Sequence, residues 1–372
     1  MKDIPEKLSI LIPDGEEYHS WNVAMSLADV PKLKLHVLSK TRWPLVRFSR
    51  HRASFHYVKN RGNDDARIET ISQIVRQNDV DVILPITEPG IRFVSVHRKQ
   101  LEKIAAIAPT PDPDTFDLTV DKGLFAAFLA QKGLPHPHTI PWSNEGSPSQ
   151  QISDIPFPAL VKPTKGAGGE DMHLFEKPDS ALSFFKKKAS SSKRYIIQEY
   201  IPGHDMGCSL LCLDGKILAY TIQDVEIPNP RAFDNWWGIR FVQNDEVLDT
   251  VTKLMHELNF SGVAHIDLRY NEQEKQVKIL ELNPRFWASL LGSHCAGVNF
   301  PYWASLAGLG IPFPVPDYST ESFIIVRPLI KQLKTMILGP GKSYTAPVYR
   351  GTSWPYYLND PLPFLVNHLR RR

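Results

Sequence analysis

The densest chemical signal in the sequence is Phe157–Gly169, FPALVKPTKGAGG. An apolar strand delivers Lys162, and a turn follows that holds Lys165, Gly166, Gly168 and Gly169. Glycines let the backbone approach a ligand closely and aim successive N–H groups at an anion, while lysine adds charge. That combination suits a polyphosphate. A plain β-hairpin turn uses the same residues, so this stretch alone leaves both readings open. A second signal is the pair Gly262–Tyr270 (GVAHIDLRY) and Val277–Asn283 (VKILELN), joined by the polar turn Asn271–Lys275. Strand alternation puts His265, Asp267 and Arg269 on one face of the first, and sets Glu281 and Asn283 against Leu280 and Leu282 in the second. Paired as a hairpin, they gather two carboxylates and an amide oxygen, hard ligands suited to Mg²⁺ that bridges phosphates. An amphipathic hairpin with its polar face in water is the alternative. The step Asn283-Pro284-Arg285 weighs against it, since it stops the strand and sets a guanidinium beside the proposed metal. A third signal is Tyr195–Asp205, YIIQEYIPGHD. Its strand end offers a backbone edge at Glu199–Ile201 that could read an adenine, with Asp205 near enough for ribose hydroxyls. A strand end with a Pro202-Gly203 turn would look the same.

The elements that must carry these residues are legible at low resolution. Up to residue 115 the chain alternates strand-like runs (Leu8–Pro13, Leu33–Leu38, Ser54–Val58, Val80–Ile86, Lys103–Ala108) with helical spacing near Tyr18–Ala28 and Asn63–Gln77. That order predicts a parallel sheet with crossover helices. The first turn lacks GxGxxG, which weakens a dinucleotide-binding reading. Pro109–Asp114 (PTPDPD) reads as a linker. A helix follows, capped by Asp117 or Thr119, with Leu124, Phe125, Phe128 and Leu129 as its stripe and Gly133 as its end. Strands then dominate to about residue 228, apart from a helix near Ser180–Ala189. Asp245–Asn259 is the strongest amphipathic helix, and a Pro-rich section follows Gly310.

The order of the three signals, with Asp121-Lys122 ahead of them and ILELNPRFWASLLG (Ile279–Gly292) at the end, resembles the ATP-grasp superfamily across roughly residues 115–310. The last motif looks like the terminal metal-binding strand of carboxylate–amine ligases. The resemblance implies an α/β and α+β architecture: a Rossmann-like preATP-grasp domain (1–114), a two-lobed ATP-grasp domain (115–310) and a C-terminal extension (311–372). It implies that Lys122 and Lys162 contact the ATP phosphates, with the Lys165–Gly169 loop, Gly166, Gly168 and Gly169 included, closing over them. Glu199 and Ile201 would meet adenine through their backbones, Gln198 the exocyclic amine, and Asp205 the ribose. Asp267, Glu281 and Asn283 would hold one or two Mg²⁺ ions, with Mn²⁺ an admissible substitute, and Arg285 would stabilise the transferred phosphoryl. His265 stands where some relatives place an arginine. The implied activity is ATP-dependent amide formation between a small carboxylate and an amine, amino acids among them, through an acyl phosphate. The rivals are a bicarbonate-using carboxylase or carbamoyl-phosphate-type enzyme, and an ATP-binding regulatory module without turnover.

Composition narrows the classes further. Lys and Arg total 43 against 40 Asp and Glu, so the net charge of +3 predicts neither a nucleic-acid partner nor a membrane anchor. Three Cys in 372 residues make no disulfide framework, and the absence of a signal-peptide pattern adds to the expectation of a cytoplasmic protein. A homodimer is compatible with the family. Arg42–Arg52 (RWPLVRFSRHR) reads as a solvated basic loop sooner than as an anion site, and His368–Arg372 as a solvated tail. Trp236 and Trp237 read either as core or as facing a substrate, and two adjacent Trp cannot both point inward from a regular strand. Cys208 and Cys212 read as small buried hydrophobes. Gly339–Ser343 (GPGKS) fails as a P-loop, because Met336 stands where its first glycine belongs.

Overall fold

The computed structural model describes residues 5–59, 63–142, 152–166, 168–169, 171–188, 193–229, 233, 236–324 and 351–370. The Gly339–Ser343 stretch, residues 143–151 of the polar loop, and Arg231 with its neighbours at 230, 232, 234 and 235 lie outside them. The chain opens with β1 (Leu8–Ile12), α1 (Tyr18–Ser26), β2 (Leu33–Ser39), β3 (Ser54–Tyr57), α2 (Asp64–Asn78), β4 (Val82–Ile83), α3 (Glu88–Val96), α4 (Arg98–Leu101) and β5 (Ala106–Ile107). The strands form one parallel sheet in the order β3-β2-β1-β4-β5. Every residue of β1, LSILI, is buried, as a central strand covered on both faces requires. The expected strands at Val80–Ile86 and Lys103–Ala108 shrink to two residues each, since the remaining apolar side chains there pack as loop and turn.

Two short helices lead into the next unit, α5 (Pro113–Val120) and α6 (Lys122–Gln131). The expected caps Asp117 and Thr119 lie inside α5. The cap of α5 is Asp112 and the cap of α6 is Asp121, whose carboxylate accepts from Gly123 N and Leu124 N. The linker is therefore confined to Pro109–Pro111. Strands β6 (Thr139–Pro141), β7 (Ala159–Pro163) and β8 (His173–Phe175), helix α7 (Pro178–Lys188) and strand β9 (Tyr195–Glu199) build a four-stranded antiparallel sheet ordered β6-β9-β7-β8.

The second lobe contains β10 (Gly203–Leu213), β11 (Lys216–Ile227), β12 (Gly238–Val242), α8 (Asp245–Leu258), β13 (Gly262–Asn271), β14 (Gln276–Asn283), α9 (Leu290–Cys295), α10 (Phe300–Gly308), β15 (Ser322–Ile324) and β16 (Gly351–Thr352). Its sheet runs β14-β13-β10-β11-β12-β15-β16. Helix α8 follows its sequence pattern: Asn244 caps it, Asn259 ends it in a left-handed conformation, and Val247, Val251, Leu254, Met255 and Leu258 are buried against the sheet. At about 1.5–3 kcal/mol for each such side chain, that face holds the lobe together. Cys208 and Cys212 are buried in the same core, and burial pushes both thiols up from their usual pKa.

Helices α11 (Trp354–Asn359) and α12 (Pro361–Leu369) return to the first sheet. Asp360, between them, accepts from Trp21 Nε1 at 2.8 Å, Ser49 Oγ at 2.5 Å and Arg50 N at 3.0 Å. The basic segment is correspondingly less solvated than expected. The Arg47 guanidinium stacks 4.2 Å over the Trp43 ring, and Arg370 donates to the Trp43 carbonyl. Among the described residues, no helix is long and apolar enough to cross a membrane.

Candidate active site

Strands β13 and β14 pair antiparallel, with Asp267 opposite Glu281 and His265 opposite Asn283. Like charges facing each other directly across strands repel, and the surroundings offset this. Lys122 Nζ lies 3.2 Å from Glu281 Oε1, His265 Nε2 lies 3.4 Å from Asp267 Oδ1, and Asn283 Nδ2 donates to Asp267 Oδ2 at 2.9 Å. Desolvation acts to raise the Asp267 pKa. The His265 bond and charge, then Arg285 and Lys162, outweigh it and hold the carboxyl below its ordinary value. The register slips between Asp267 and Leu268, so Leu280 occupies a β-bulge. Leu280 consequently lines the cleft with Glu281, and does not join Leu282 in the core as strict alternation predicts.

This hairpin is one wall of a cleft of about 640 Å³. Lys162, on β7, enters from the opposite lobe and is only 3% exposed. Burial lowers its pKa to about 8; Glu281 acts to raise it and Lys122 to lower it. Of the Gly-rich loop, Gly168 and Gly169 line the cleft, whereas Lys165 and Gly166 are exposed outside its lining. Gly166, Gly168 and Gly169 all have positive φ (129°, 68° and 70°), and a Cβ on Gly169 would stand 2.2 Å from the Phe233 carbonyl oxygen. Lys122 departs from expectation: it also lies outside the lining, where it donates to the Gly166 carbonyl at 2.7 Å while pairing with Glu281. It thus ties the loop to the hairpin.

At the other end, Gln198, Glu199, Ile201 and Asp205 all line the cleft. The backbone edge is less open than the sequence suggests. Glu199 N donates to the His138 carbonyl at 2.8 Å, and the Ile201 carbonyl accepts from Arg269 Nε. Gln198 Nε2 donates to Thr139 Oγ1 at 2.8 Å. Asp205 is paired with Arg269 Nη1 at 2.5 Å, so it reaches the cleft as half of an ion pair and not as a free carboxylate. Arg269, missed by sequence reasoning, also donates to the Gly203 carbonyl and the Tyr200 hydroxyl, stapling the junction of the two lobes.

The first domain supplies the remaining wall. In its sheet the strand order reverses between β1 and β4, and open parallel sheets bind ligands outside the carboxyl ends at such a point. Asp14, just past β1, is buried and accepts from Thr87 N and Thr87 Oγ1 at 2.7 Å, fastening the two loops there. His19 in α1 lines the cleft; burial, and then Arg285, lower its pKa to about 4, so it is neutral at pH 7. Arg285 reaches this wall through Glu88 Oε1 at 3.1 Å while donating to Asn283 Oδ1 at 3.2 Å. Trp236, Trp237 and Trp287 also line this end, which places both adjacent tryptophans on the cleft. Nothing local in the sequence marks His19 or Glu88, because they reach the site only through tertiary packing.

The donor set can be judged against Mg²⁺ directly. Among the described residues no group of three or more His, Cys, Asp or Glu forms a metal cluster. Asp267 and Glu281 still present two carboxylates side by side, enough for an ion that completes its shell with phosphate and water. Asn283 fits less directly: its amide oxygen accepts from Arg285 and its nitrogen faces Asp267, so it must turn over to offer an oxygen.

Comparison with known proteins points the same way. Residues 119–289 match the family model of the ATP-grasp domain. The chain is 21% identical over 270 residues to D-aspartate ligase of Enterococcus faecium, a match covering 63% of this chain and 62% of that protein. It therefore spans less than two thirds of that curated relative. The biotin carboxylase domain of the 2-oxoglutarate carboxylase of Hydrogenobacter thermophilus, a dimer in complex with MgADP, ADP and bicarbonate, superposes with a TM-score of 0.66 at 12% identity, over 86% of this chain and 74% of that one. L-amino acid ligase from Bacillus licheniformis superposes with a TM-score of 0.60 at 15% identity, over 84% and 76%. At these identities the structural likeness is one of fold.

Proposed function

Since residues 119–289 are an ATP-grasp domain, we propose that the protein is an ATP-dependent carboxylate–amine ligase working through an acyl phosphate. The observation that carries this is the convergence, in one cleft, of Lys162, the Asp267–Glu281 pair and Arg285, which itself spans to Glu88 of the first domain. In this reading Gln198, Glu199, Ile201 and Asp205 hold the nucleoside, and Lys162 with the Gly168–Gly169 turn holds the phosphates. Lys165, exposed beside the turn, reaches them only if the loop closes. Lys122 keeps the loop attached to the hairpin. Asp267 and Glu281, with Asn283 after its amide turns, would hold Mg²⁺, which supplies charge neutralisation at the transferred phosphoryl.

The carboxylate substrate then lies between Arg285 and the first domain. Its oxygen takes the phosphoryl group and ADP leaves; an amine attacks the acyl carbon and expels phosphate, losing its proton to solvent. The protein's own contribution is positioning, charge and exclusion of water. The aromatic walls Trp236 and Trp287 favour an organic acid over bicarbonate, which sets this reading above the carboxylase one. On the same reading the protein acts in the cytoplasm on small carboxylates and amines, amino acids included, and a homodimer is compatible. The test is a pairwise screen of amino acids and small carboxylates for ATP-dependent phosphate release, with mass detection of products. A condensed product with ADP and phosphate is expected; a bicarbonate-dependent product alone, or no phosphate release with any pair, would reject the reading.

A further inference from the structure

A chain of side chains runs from the substrate end of the cleft to the hairpin, through the interior of the seven-stranded sheet. Ser289 Oγ donates to Gln223 Oε1 at 2.9 Å, and Gln223 Nε2 donates to Ser209 Oγ at 2.8 Å. Ser209 Oγ lies 2.9 Å from His265 Nδ1, and His265 Nε2 lies 3.4 Å from Asp267 Oδ1. Ser209 and Gln223 are 0% exposed, so no water competes for these contacts. The imidazole is also confined sterically. Trp287 stacks on it with centroids 6.0 Å apart, Trp236 meets it edge-on, and a Cβ on Gly207 would stand 2.9 Å from its Cε1. Gly207 sits opposite Asp267 in the strand register, and Ser209 opposite His265.

Proton counting fixes which nitrogen presents a proton to Asp267. Ser209 accepts the amide proton of Gln223, so its own proton goes to His265 Nδ1. A neutral imidazole then carries its single proton on Nε2, facing the Asp267 carboxylate. The reverse arrangement turns the Gln223 amide over and makes Ser209 donate to it. His265 must then donate from Nδ1, and a bare Nε2 lone pair would face a carboxylate oxygen. That repulsion is absent in the first arrangement, and in the second only when the ring carries both protons, so in every state free of it Nε2 carries a proton toward Asp267.

We propose that Ser209 and Gln223 are positioning residues that hold the His265 ring so that its Nε2–H donates to Asp267 and aims that carboxylate into the cleft. The consequence for metal binding rests on the reading of Asp267 given above; the ring orientation does not.

The experiment has two readouts on the full chain. The first is long-range ¹H–¹⁵N NMR of protein labelled in histidine nitrogen, with the His265 signals identified by their loss in His265→Gln. A proton on Nε2 is expected; a bare Nε2 beside a protonated Nδ1 overturns the positioning. The second is Mn²⁺ affinity in the presence of ATP, read by electron paramagnetic resonance. Residues behind a metal ligand commonly change affinity by about 10–100-fold, so Ser209→Ala, Gln223→Met and His265→Asn should each weaken Mn²⁺ by about tenfold or more. His265→Gln keeps an N–H near the Nε2 position and should stay close to the parent. Parental affinity in all the other three overturns the positioning role even if the Nε2 proton is as expected. A parent that binds no Mn²⁺ with ATP refutes the metal reading and that role with it, while the NMR result still decides whether Nε2 carries the proton.

Discussion

Asp14, buried in the crevice of the five-stranded sheet, and Asp267, partly exposed on the hairpin of the seven-stranded sheet, are both carboxylates under a desolvation cost, yet they shift in opposite directions. Burial raises Asp14 to about 6, because its Thr87 hydrogen bonds and the weaker pull of Arg67, itself countered by Glu16, only partly offset that cost. Asp267 is held below its ordinary value, because His265, Arg285 and Lys162 outweigh desolvation. The first environment suits a fastener between two loops. The second keeps a negative charge available in a cleft. A pKa near 6 marks Asp14 as perturbed but not as chemical, since perturbation alone does not separate structural from functional groups.

The strongest way to break this comparison is to neutralise one carboxylate on each side. Glu281→Gln should lower ATP-dependent product formation by on the order of 10²–10³-fold. It should leave the metal-free melting temperature at or modestly below the parent's, because relief of the repulsion with Asp267 is set against loss of the ion pair with Lys122. Asp14→Asn should leave kcat close to the parent's and act on stability instead. Steady-state kinetics beside thermal unfolding of both variants would check this, and loss of kcat in Asp14→Asn alone would reverse the assignment.

Lys162 sharpens the contrast, because on the proposed reading a bound nucleotide would offset the cost of its burial. Its folded pKa is near 8 against an ordinary 10.5. The stability it contributes is therefore present above about pH 10.5, falls away as pH drops, and is fully lost below about 8. Lys162→Met should stabilise the nucleotide-free protein at pH 7 by roughly 3 kcal/mol while abolishing the rise in melting temperature with Mg-ATP. Denaturant unfolding of both proteins near pH 7 and pH 10.5 is the measurement, and the gap should close at the higher pH. An Mg-ATP shift equal to the parent's in Lys162→Met would remove the lysine from the phosphate site.

The smallest effect is the pH response of the first domain. Asp14 has a folded pKa raised above its unfolded 3.8, so its contribution is fully present below about pH 4 and is lost as pH rises through 6. The stability deficit of Asp14→Asn should therefore be largest near pH 4 and shrink by roughly 2–3 kcal/mol by pH 7. A deficit that is constant from pH 4 to 7 would show that Asp14 is not held protonated.

The two regions were unequally legible beforehand. The hairpin announced itself because alternation of period two, a polar turn and a stop at Pro284 leave few other arrangements. Its bulge did not, since Leu280 reads as one more core residue until the register is known. Capping by Asp121 was hidden because α5 and α6 run on without an apolar gap, so Asp117 and Thr119 looked equally suitable. Arg269 alternates correctly with Asp267, but its bond to Asp205 spans 64 residues, and nothing local announces it. The contributions of Asp14, His19 and Glu88 come from the order of strands in the first sheet, which sequence pattern leaves open. Ser209 and Gln223 sit in strands whose apolar neighbours drew the attention.

Trp21 and Ser49 belong to the first sheet's core and loops, but their hydrogen-bond acceptor is Asp360, 339 and 311 residues further along. Translation at about 5–20 residues per second delivers that acceptor on the order of 20–70 s after Trp21. During synthesis the indole N–H and the hydroxyl must rely on water or a chaperone surface. A domain synthesised ahead of the two lobes is thus finished only after them.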